Sequence, residues 1–434
     1  MKQVDQIARQ TGFLKRKSKL TPQAFIDLMF YAVSGEYTSL RKISIEAQSE
    51  HSLSLSKRGL DDRFSSKSVD FTKRLLEEAI HNQFMDPLTC DASQLFNRVL
   101  IKDSTRFDID ESLKDKFPGF GGDGSKAGVS IQFEFDLKNG KITDMDLQSE
   151  LDRDSTDAIK KKDSIQAGDL IIRDLGYYSN EAIMSICNKK AYFISRLYPS
   201  ANVYKSDIGK DKIDFHAIYK CMMATKMEYL ELTVFVGKEK TSMRLVICLL
   251  PQEIYEKRIR IRNKKNKSKN CKTTDEYKAR AHFNLFVTNV DEKEISTEAI
   301  CRFYRIRWQI ELVFKVWKSL MKINCLQKMK YERFATTLYM NMLWLLVHWR
   351  IIVPFRGYFY VMQQGLISIF KCVSTLMDQT LNTRRILWLT KSKLGKEIRK
   401  IYNVFAVNHW LEKRKERVSL YDYFELLFCR STNY

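Results

Sequence analysis

The chain has 434 residues, enough for about two to four domains of ordinary size. Its 74 Lys+Arg against 52 Asp+Glu leave a net charge of +22, which argues against a typical small-molecule enzyme and for a polyanionic partner, nucleic acid or an anionic membrane surface. Hydrophobic residues make up 44% and aromatics 12%, with only 16 Gly and 6 Pro, so a large packed core is available and a mainly disordered basic tail is excluded.

The first 90 or so residues read as helical. Thr21-Pro22 opens a helix, Thr as N-cap and Pro at the first helical position, with Phe25, Leu28, Met29 and Ala32 as its apolar face. Thr38 to Gln48 and Ser56 to Phe64 predict two short helices around a polar break. With Lys57, Arg58 and Arg63 on the second, the pair fits a helix-turn-helix or an ordinary helical bundle.

From Asn97 the period changes to two. Arg98 to Asp103 is a short apolar run ending in an acid, with turn chemistry expected at Asp103-Ser104-Thr105. Val129 to Leu137 alternates strictly, which predicts a strand with one buried face and with Ser130, Gln132, Glu134 and Asp136 on the other. Asn139-Gly140 supplies a tight turn and Lys141 to Leu147 returns. Asp154 to Ala167 predicts a helix with Gly168 as its C-cap. Asp169 to Asp174 is a second apolar run ending in an acid. A helix capped by Ser179 and a strand at Ala191 to Ser195 follow. This order predicts an α/β fold with a mixed sheet.

Residues 200–290 read as a β-rich insertion. Within it, Lys257 to Lys272 holds nine basic residues and no acid, which suits a DNA backbone better than a solvated loop. After Ser296 the chain reads as helical, with one helix from Ile295 to Met321. Leu338 to Val353 and Gly357 to Phe370 are long apolar stretches, but Asn341, His348, Arg350 and Arg356 interrupt them, so a buried helix pair is expected rather than a membrane span. The nine cysteines form no C-x-x-C pair. With an odd count and no apolar leader in residues 1–21, they read as reduced, mostly buried thiols of a cytosolic protein. Six His without ligand spacing argue against zinc.

Two constellations carry chemistry. Asp103 and Asp174 each end an apolar run, and strand ends are where ligands bind in open α/β folds. Singly, each is an ordinary turn former; together they make a candidate pair. On the Ile295 to Met321 helix, Tyr304, Arg307, Glu311, Lys315 and Lys318 form one narrow polar stripe, with apolar residues around the rest. A solvated ionic face is the plain reading. A single carboxylate among phosphate-seeking groups suggests instead a metal ligand beside phosphate contacts. Three carboxylates without His suit a hard cation such as Mg²⁺, and two such ions can clamp an in-line phosphoryl displacement.

Tyr304-x2-Arg307-x3-Glu311-x6-Lys318 matches the Y-x2-R-x3-E-x6-K signature of the cut-and-paste DDE transposases of bacterial insertion sequences, the IS-four family, at all four positions. Asp174-Leu175-Gly176-Tyr177 resembles that family's second-aspartate motif, D-x-G-[YF], and Asp103-Ser104-Thr105 its first-aspartate segment. The resemblance covers about residues 20–350 and implies an RNase H-like catalytic domain with a β-rich insertion, flanked by helical N- and C-terminal regions. Taken with the residue pattern, this divides the chain into a helical DNA-binding domain at 1–92, a catalytic domain at 93–199 and 291–330, the insertion at 200–290 and a helical region at 331–434 as a candidate for dimer contacts.

By resemblance, Asp103, Asp174 and Glu311 bind two Mg²⁺ ions, with Mn²⁺ as a substitute. Tyr304, Arg307 and Lys318 would contact DNA phosphates; to these the residue pattern itself adds Lys315 of the polar stripe and Lys264, Lys265 and Lys267 of the basic run as DNA contacts. The implied partners are the terminal inverted repeats, a target DNA and a second copy of the chain, in the bacterial cytoplasm. The implied reaction nicks each end and passes through a hairpin to strand transfer. The family also stacks an aromatic of the insertion on a flipped base; the matching segment, HFNLFVTN, offers Phe283 or Asn284. A catalytically silent DNA-binding descendant and a structure-specific nuclease of the same fold are the alternatives.

Overall fold

A computed structural model describes residues 2–16, 18–35, 39–82, 95–198, 200–237, 240–267, 270–363 and 365–411. Cys90, Cys429 and Lys269, all part of the sequence reading, lie outside them. The described residues divide into two compact units, one formed by 2–82, 104–152 and 309–411, the other by 95–103 and 153–308.

The chain opens with five helices: α1 (Lys2–Gln10), α2 (Pro22–Ser34), α3 (Leu40–His51), α4 (Lys57–Asp61) and α5 (Ser66–His81). The expected cap is present, since the Thr21 side chain accepts from Ala24 N ahead of Pro22. Ser56 caps α4 by accepting from Gly59 N. In the same unit lie the strands β1 (Val99–Asp108, from residue 104 onward), β2 (Gly128–Asp136) and β3 (Ile142–Ser149), hydrogen-bonded in the order β3-β2-β1.

β2 departs from its alternating pattern. All nine residues are buried, including Ser130, Gln132, Glu134 and Asp136. Periodicity reports which side chains are apolar, not what covers the polar ones. β2 lies between β3 and β1 in the sheet, and Glu134 accepts from the Thr143 hydroxyl on β3 at 3.0 Å.

The second unit continues with α6 (Asp154–Lys160), β4 (Leu170–Arg173), α7 (Asn180–Asn188), β5 (Tyr192–Arg196), β6 (Val203–Tyr204), α8 (Phe215–Thr225), β7 (Tyr229–Val236), β8 (Thr241–Leu249), α9 (Gln252–Lys267), α10 (Asp275–Ala281), β9 (Phe283–Thr288) and α11 (Thr297–Phe303). Its strands follow the order β1-β4-β5-β9-β8-β7-β6. β1-β4 and β4-β5 are parallel; the pairs from β5-β9 outward are antiparallel. The insertion is therefore mixed rather than simply β-rich. Its strands extend the same sheet, and three helices lie between them. The basic run from Lys257 to Lys272 lies largely on helix α9.

α6 is shorter than expected. It ends at Lys160, and Gly168 instead takes a left-handed φ of +79° in the turn that feeds β4. Cysteine usage also differs from expectation. Cys248 of β8 and Cys301 of α11 are joined as a disulfide, and Cys221, Cys271 and Cys325 are exposed. A separation of 53 residues gives no hint of that pairing, because the fold alone brings the strand against the helix.

The first unit resumes with α12 (Trp308–Ser319, from residue 309 onward), α13 (Tyr331–Gln363), α14 (Ile369–Asp378), α15 (Thr380–Ile386) and α16 (Lys391–Asn408). α13 is one 33-residue helix that runs through Pro354, where a helix pair was expected. Among the described residues it alone is long and apolar enough to cross a membrane, and 67% of its most apolar 18-residue window is buried inside the protein. It is a core helix here. Trp349 sets its ring edge-on to Phe133 and Phe135 of β2 and donates to Gly140 O at 2.6 Å. Gly140 has φ +70° and a Cβ there would lie 2.5 Å from Val353 Cγ1, so the β2-β3 turn requires glycine twice over. α12 packs Trp317 against Phe133 as well.

His348 is fully buried in α13, its Nδ1 2.7 Å from Trp344 O. Burial lowers its pKa from 6.5 to about 4. Between those values the unfolded chain binds a proton that the folded chain refuses, so stability falls as pH drops through that window. The full effect is about 3 kcal/mol. His348→Met is expected to remove this part of the acid destabilisation. Denaturant titrations above and below the window check it, and an unchanged difference between the two pH values would contradict it.

Candidate functional site

The parallel register of β1 with β4 pairs Val99 with Leu170 and runs to Lys102 with Arg173. The next residue on each strand is an aspartate, so Asp103 and Asp174 stand side by side where the pairing ends. β1 itself does not end at Asp103 as expected. It continues to Asp108, which replaces the predicted turn at Asp103-Ser104-Thr105 by strand. β4 does end there. Asp174 opens a single 3-10 turn at Leu175–Tyr177, closed by Tyr177 N donating to Asp174 O at 3.1 Å.

Arg307 reaches both carboxylates. Its Nη1 donates to Asp103 Oδ2 at 2.5 Å, and its Nε lies 3.8 Å from Asp174 Oδ1. Two adjacent carboxylates repel each other, and here a guanidinium supplies the positive charge that offsets this. Tyr304 is buried, with its hydroxyl 3.4 Å from Arg173 O and 3.5 Å from Asp174 Oδ1. Burial, then the nearby Asp174 charge, pushes its phenol up to about 12, so it remains a proton donor at neutral pH. The Arg307 and Arg196 guanidiniums lie 6.0 Å and 5.8 Å from its ring centroid. Arg196, exposed at the end of β5, was passed over in the sequence. A basic residue closing the apolar run after Ala191 was its only signal.

The expected single helix around the signature is broken. α11 ends at Phe303, Tyr304–Arg307 is a 3-10 segment, and α12 starts at Trp308. Tyr304 and Arg307 belong to the second unit, with Asp103 and Asp174. Glu311, Lys315 and Lys318 lie on α12 in the first unit. A wheel drawn at a constant 100° per residue therefore misplaces the stripe, because a 3-10 turn takes three residues rather than 3.6. Within its unit, Lys318 is half-buried and donates to Arg106 O on β1 at 3.0 Å; burial lowers its pKa. Lys315 is exposed, its ammonium 5.2 Å from the Phe370 ring centroid.

Lys264, Lys265 and Lys267 are exposed in the last turn of α9. The inward side of that helix is occupied differently. Arg258 donates to Phe283 O at 2.8 Å and to Asn284 Oδ1 at 2.6 Å. Phe283 is 2% exposed and packs into the apolar core with Phe215 and Met222, so its ring is not open to a base. Asn284, the other expected position, is held by Arg258. Beside them His282 is stacked between Tyr219 and Tyr255, both ring centroids at 3.8 Å, so this ring stack already holds three members.

Among the described residues no three His, Cys, Asp or Glu side chains form a group ready to hold a metal ion. The donor set at Asp103 and Asp174 nevertheless fits a hard cation: all-oxygen, anionic and already gathered around the positive charge of Arg307.

Residues 94–347 match the family described as "Transposase DDE domain". The transposase for insertion sequence element IS231F of Bacillus thuringiensis subsp. israelensis is 26% identical, covering 98% of this chain and 92% of that protein. The transposase for insertion sequence element IS1151 of Clostridium perfringens is 28% identical, covering 87% of this chain and 83% of that protein. A solved piggyBac transposase synaptic complex with hairpin DNA covers 96% of this chain and 83% of that chain at 13% identity and a TM-score of 0.42, a likeness too loose to place any residue. With a family match over more than half its length, and insertion-sequence transposases aligned along most of it, the chain belongs to the DDE transposase family, enzymes that cleave and join DNA.

Proposed function

We propose that the chain excises and inserts its own element by Mg²⁺-dependent phosphoryl transfer at the terminal inverted repeats, with Mn²⁺ able to substitute, and that Asp103, Asp174 and Glu311 hold the metal. The observation that carries this reading is the register of β1 on β4, which sets two carboxylates side by side around a cation. The RNase H-like reading rests on the parallel β1-β4-β5 core and on a hairpin strand beside β1 in the order β3-β2-β1.

Bound metal would supply charge at the reacting phosphate and lower the pKa of the attacking water or 3′-hydroxyl. The chain's own groups do the rest. Asp103 and Asp174 orient whatever they hold, because both follow directly on paired strand residues. Arg307 carries a planar donor fork that suits phosphate as well as carboxylate. Tyr304, kept protonated, can donate to a phosphate oxygen. Lys318 and Lys315 add positive charge from α12, and Lys264, Lys265 and Lys267 give α9 a track for the DNA backbone. All steps, nicking, hairpin formation, hairpin opening and target joining, use one site, so positioning and charge stabilisation supply the catalysis.

The reading further assigns end recognition to residues 1–92 and self-association to 331–434, with the protein acting as a homodimer in the bacterial cytoplasm. Incubation of the purified chain with DNA carrying the element's own ends and Mg²⁺ tests it. Nicks at the ends followed by hairpin-capped excised DNA are expected. End binding with no cleavage in Mg²⁺ or Mn²⁺ would instead favour the catalytically silent reading, and cleavage that follows DNA shape irrespective of the ends would favour a nuclease.

Replacing Lys264, Lys265 and Lys267 by Ala is expected to weaken binding to end and non-end DNA alike. The slope of log affinity against log salt should become shallower by about 2 to 3, roughly 0.9 per lost phosphate contact. An unchanged slope in a filter-binding titration would remove α9 from the DNA path.

A further inference from the structure

Behind Asp103 and Asp174 lies a second, buried layer of charge. Lys102 precedes the first and Arg173 the second, and the two are register partners. Side chains alternate along a strand, so this pair points to the sheet face opposite the aspartates. Both are buried, Lys102 at 0% exposure. Lys102 Nζ lies 2.5 Å from Asp157 Oδ2, and Asp157, on α6, is equally buried. Tyr177, the tyrosine of the D-L-G-Y segment, is buried too. Its ring centroid is 6.0 Å from Lys102 Nζ and 5.9 Å from the Arg173 guanidinium. The preceding Gly176 is approached closely by α6: a Cβ there would lie 2.9 Å from Asp154 Oδ2. The glycine and tyrosine of the motif are thus the places where α6 rests on the strand ends.

A buried lysine–aspartate pair gives little net stability over an apolar pair of the same size, because removing two charges from water offsets their attraction. What such a pair can supply instead is a fixed geometry, as buried polar contacts do where they set register. We propose that Lys102, Asp157, Arg173 and Tyr177 are positioning residues, which fix the ends of β1 and β4 and so set the spacing of the Asp103 and Asp174 carboxylates for a divalent cation. This inference rests on the reading that those two aspartates hold the metal.

The test compares Lys102→Met, Asp157→Leu and the double variant in the full-length chain by two readouts: thermal unfolding, and Mn²⁺ binding followed by the electron paramagnetic resonance of the free ion. Each single variant removes one member of the buried ion pair and should melt well below the parent. The double variant should recover most of the melting temperature yet bind Mn²⁺ about tenfold more weakly, the scale of lost support behind metal ligands. Recovery of melting and Mn²⁺ affinity together would reduce the layer to packing and overturn the proposal.

Should the double variant fail to fold, Gly176→Ala serves instead. It pushes one methyl against Asp154 without a left-handed backbone to strain, and the same roughly tenfold loss is expected. Parent-like affinity would overturn the proposal here too. Asp103→Asn separates the two levels. If it leaves Mn²⁺ binding intact, the metal reading itself fails. If it abolishes binding while the layer variants bind as the parent does, only the positioning role fails.

Discussion

Asp103→Asn and Asp174→Asn are each expected to abolish cleavage at the element's ends while leaving end binding intact. Asparagine keeps the size and one oxygen of the side chain and removes the charge. A hard cation loses an anionic ligand, and with it roughly 4 kcal/mol of transition-state stabilisation, about 10³-fold in rate. Binding is expected to survive because it is carried by cations, and removing a negative charge beside a phosphate does not weaken it. Glu311→Gln should behave in the same way. Gel-shift and cleavage assays on the same preparations check this. Cleavage that persists in any one of the three would remove that residue from the metal set.

The second large effect concerns Arg307. In the protein without DNA its guanidinium is spent on Asp103 and reaches Asp174. A cation between those carboxylates would compete for the same charge. Arg307 is therefore expected to exchange partners, carboxylate in the free protein and phosphate at the DNA end. Arg307→Ala should leave the first nick and lower hairpin yield roughly hundredfold, the scale of a lost charge-stabilising donor. Arg307→Lys should recover only part of it, because an ammonium lacks the planar fork that spans two oxygens. Hairpin yield equal to the parent's in a denaturing-gel assay would contradict this role.

The relation between sequence and structure is uneven, and the reasons are physical. Caps and alternation are local, so Thr21-Pro22, Ser56 and the strand at Val129 were legible. The two aspartates were legible as ends of apolar runs. That they share a register was not, because pairing is a long-range fact that no local pattern records. The Y-x2-R-x3-E-x6-K spacing was legible as a motif, whereas the 3-10 segment inside it was not: nothing in YRIRWQ marks a tighter turn. Phe283 shows the limit of alignment. A large aromatic in the right segment is buried when its face of the strand packs into the core, as Phe283 does against Phe215 and Met222. Lys102 and Asp157 show the opposite case, since a lysine just before a catalytic-type aspartate reads as a surface charge until the fold shows it buried against α6.

A structure of the protein on its terminal-repeat DNA with Mn²⁺ bound, located by anomalous scattering, would show directly which side chains hold the metal. Metal is expected between Asp103 and Asp174 with Glu311 completing the set, and Arg307 withdrawn onto a phosphate. Metal held elsewhere at the DNA end, with Arg307 still paired to Asp103, would contradict it.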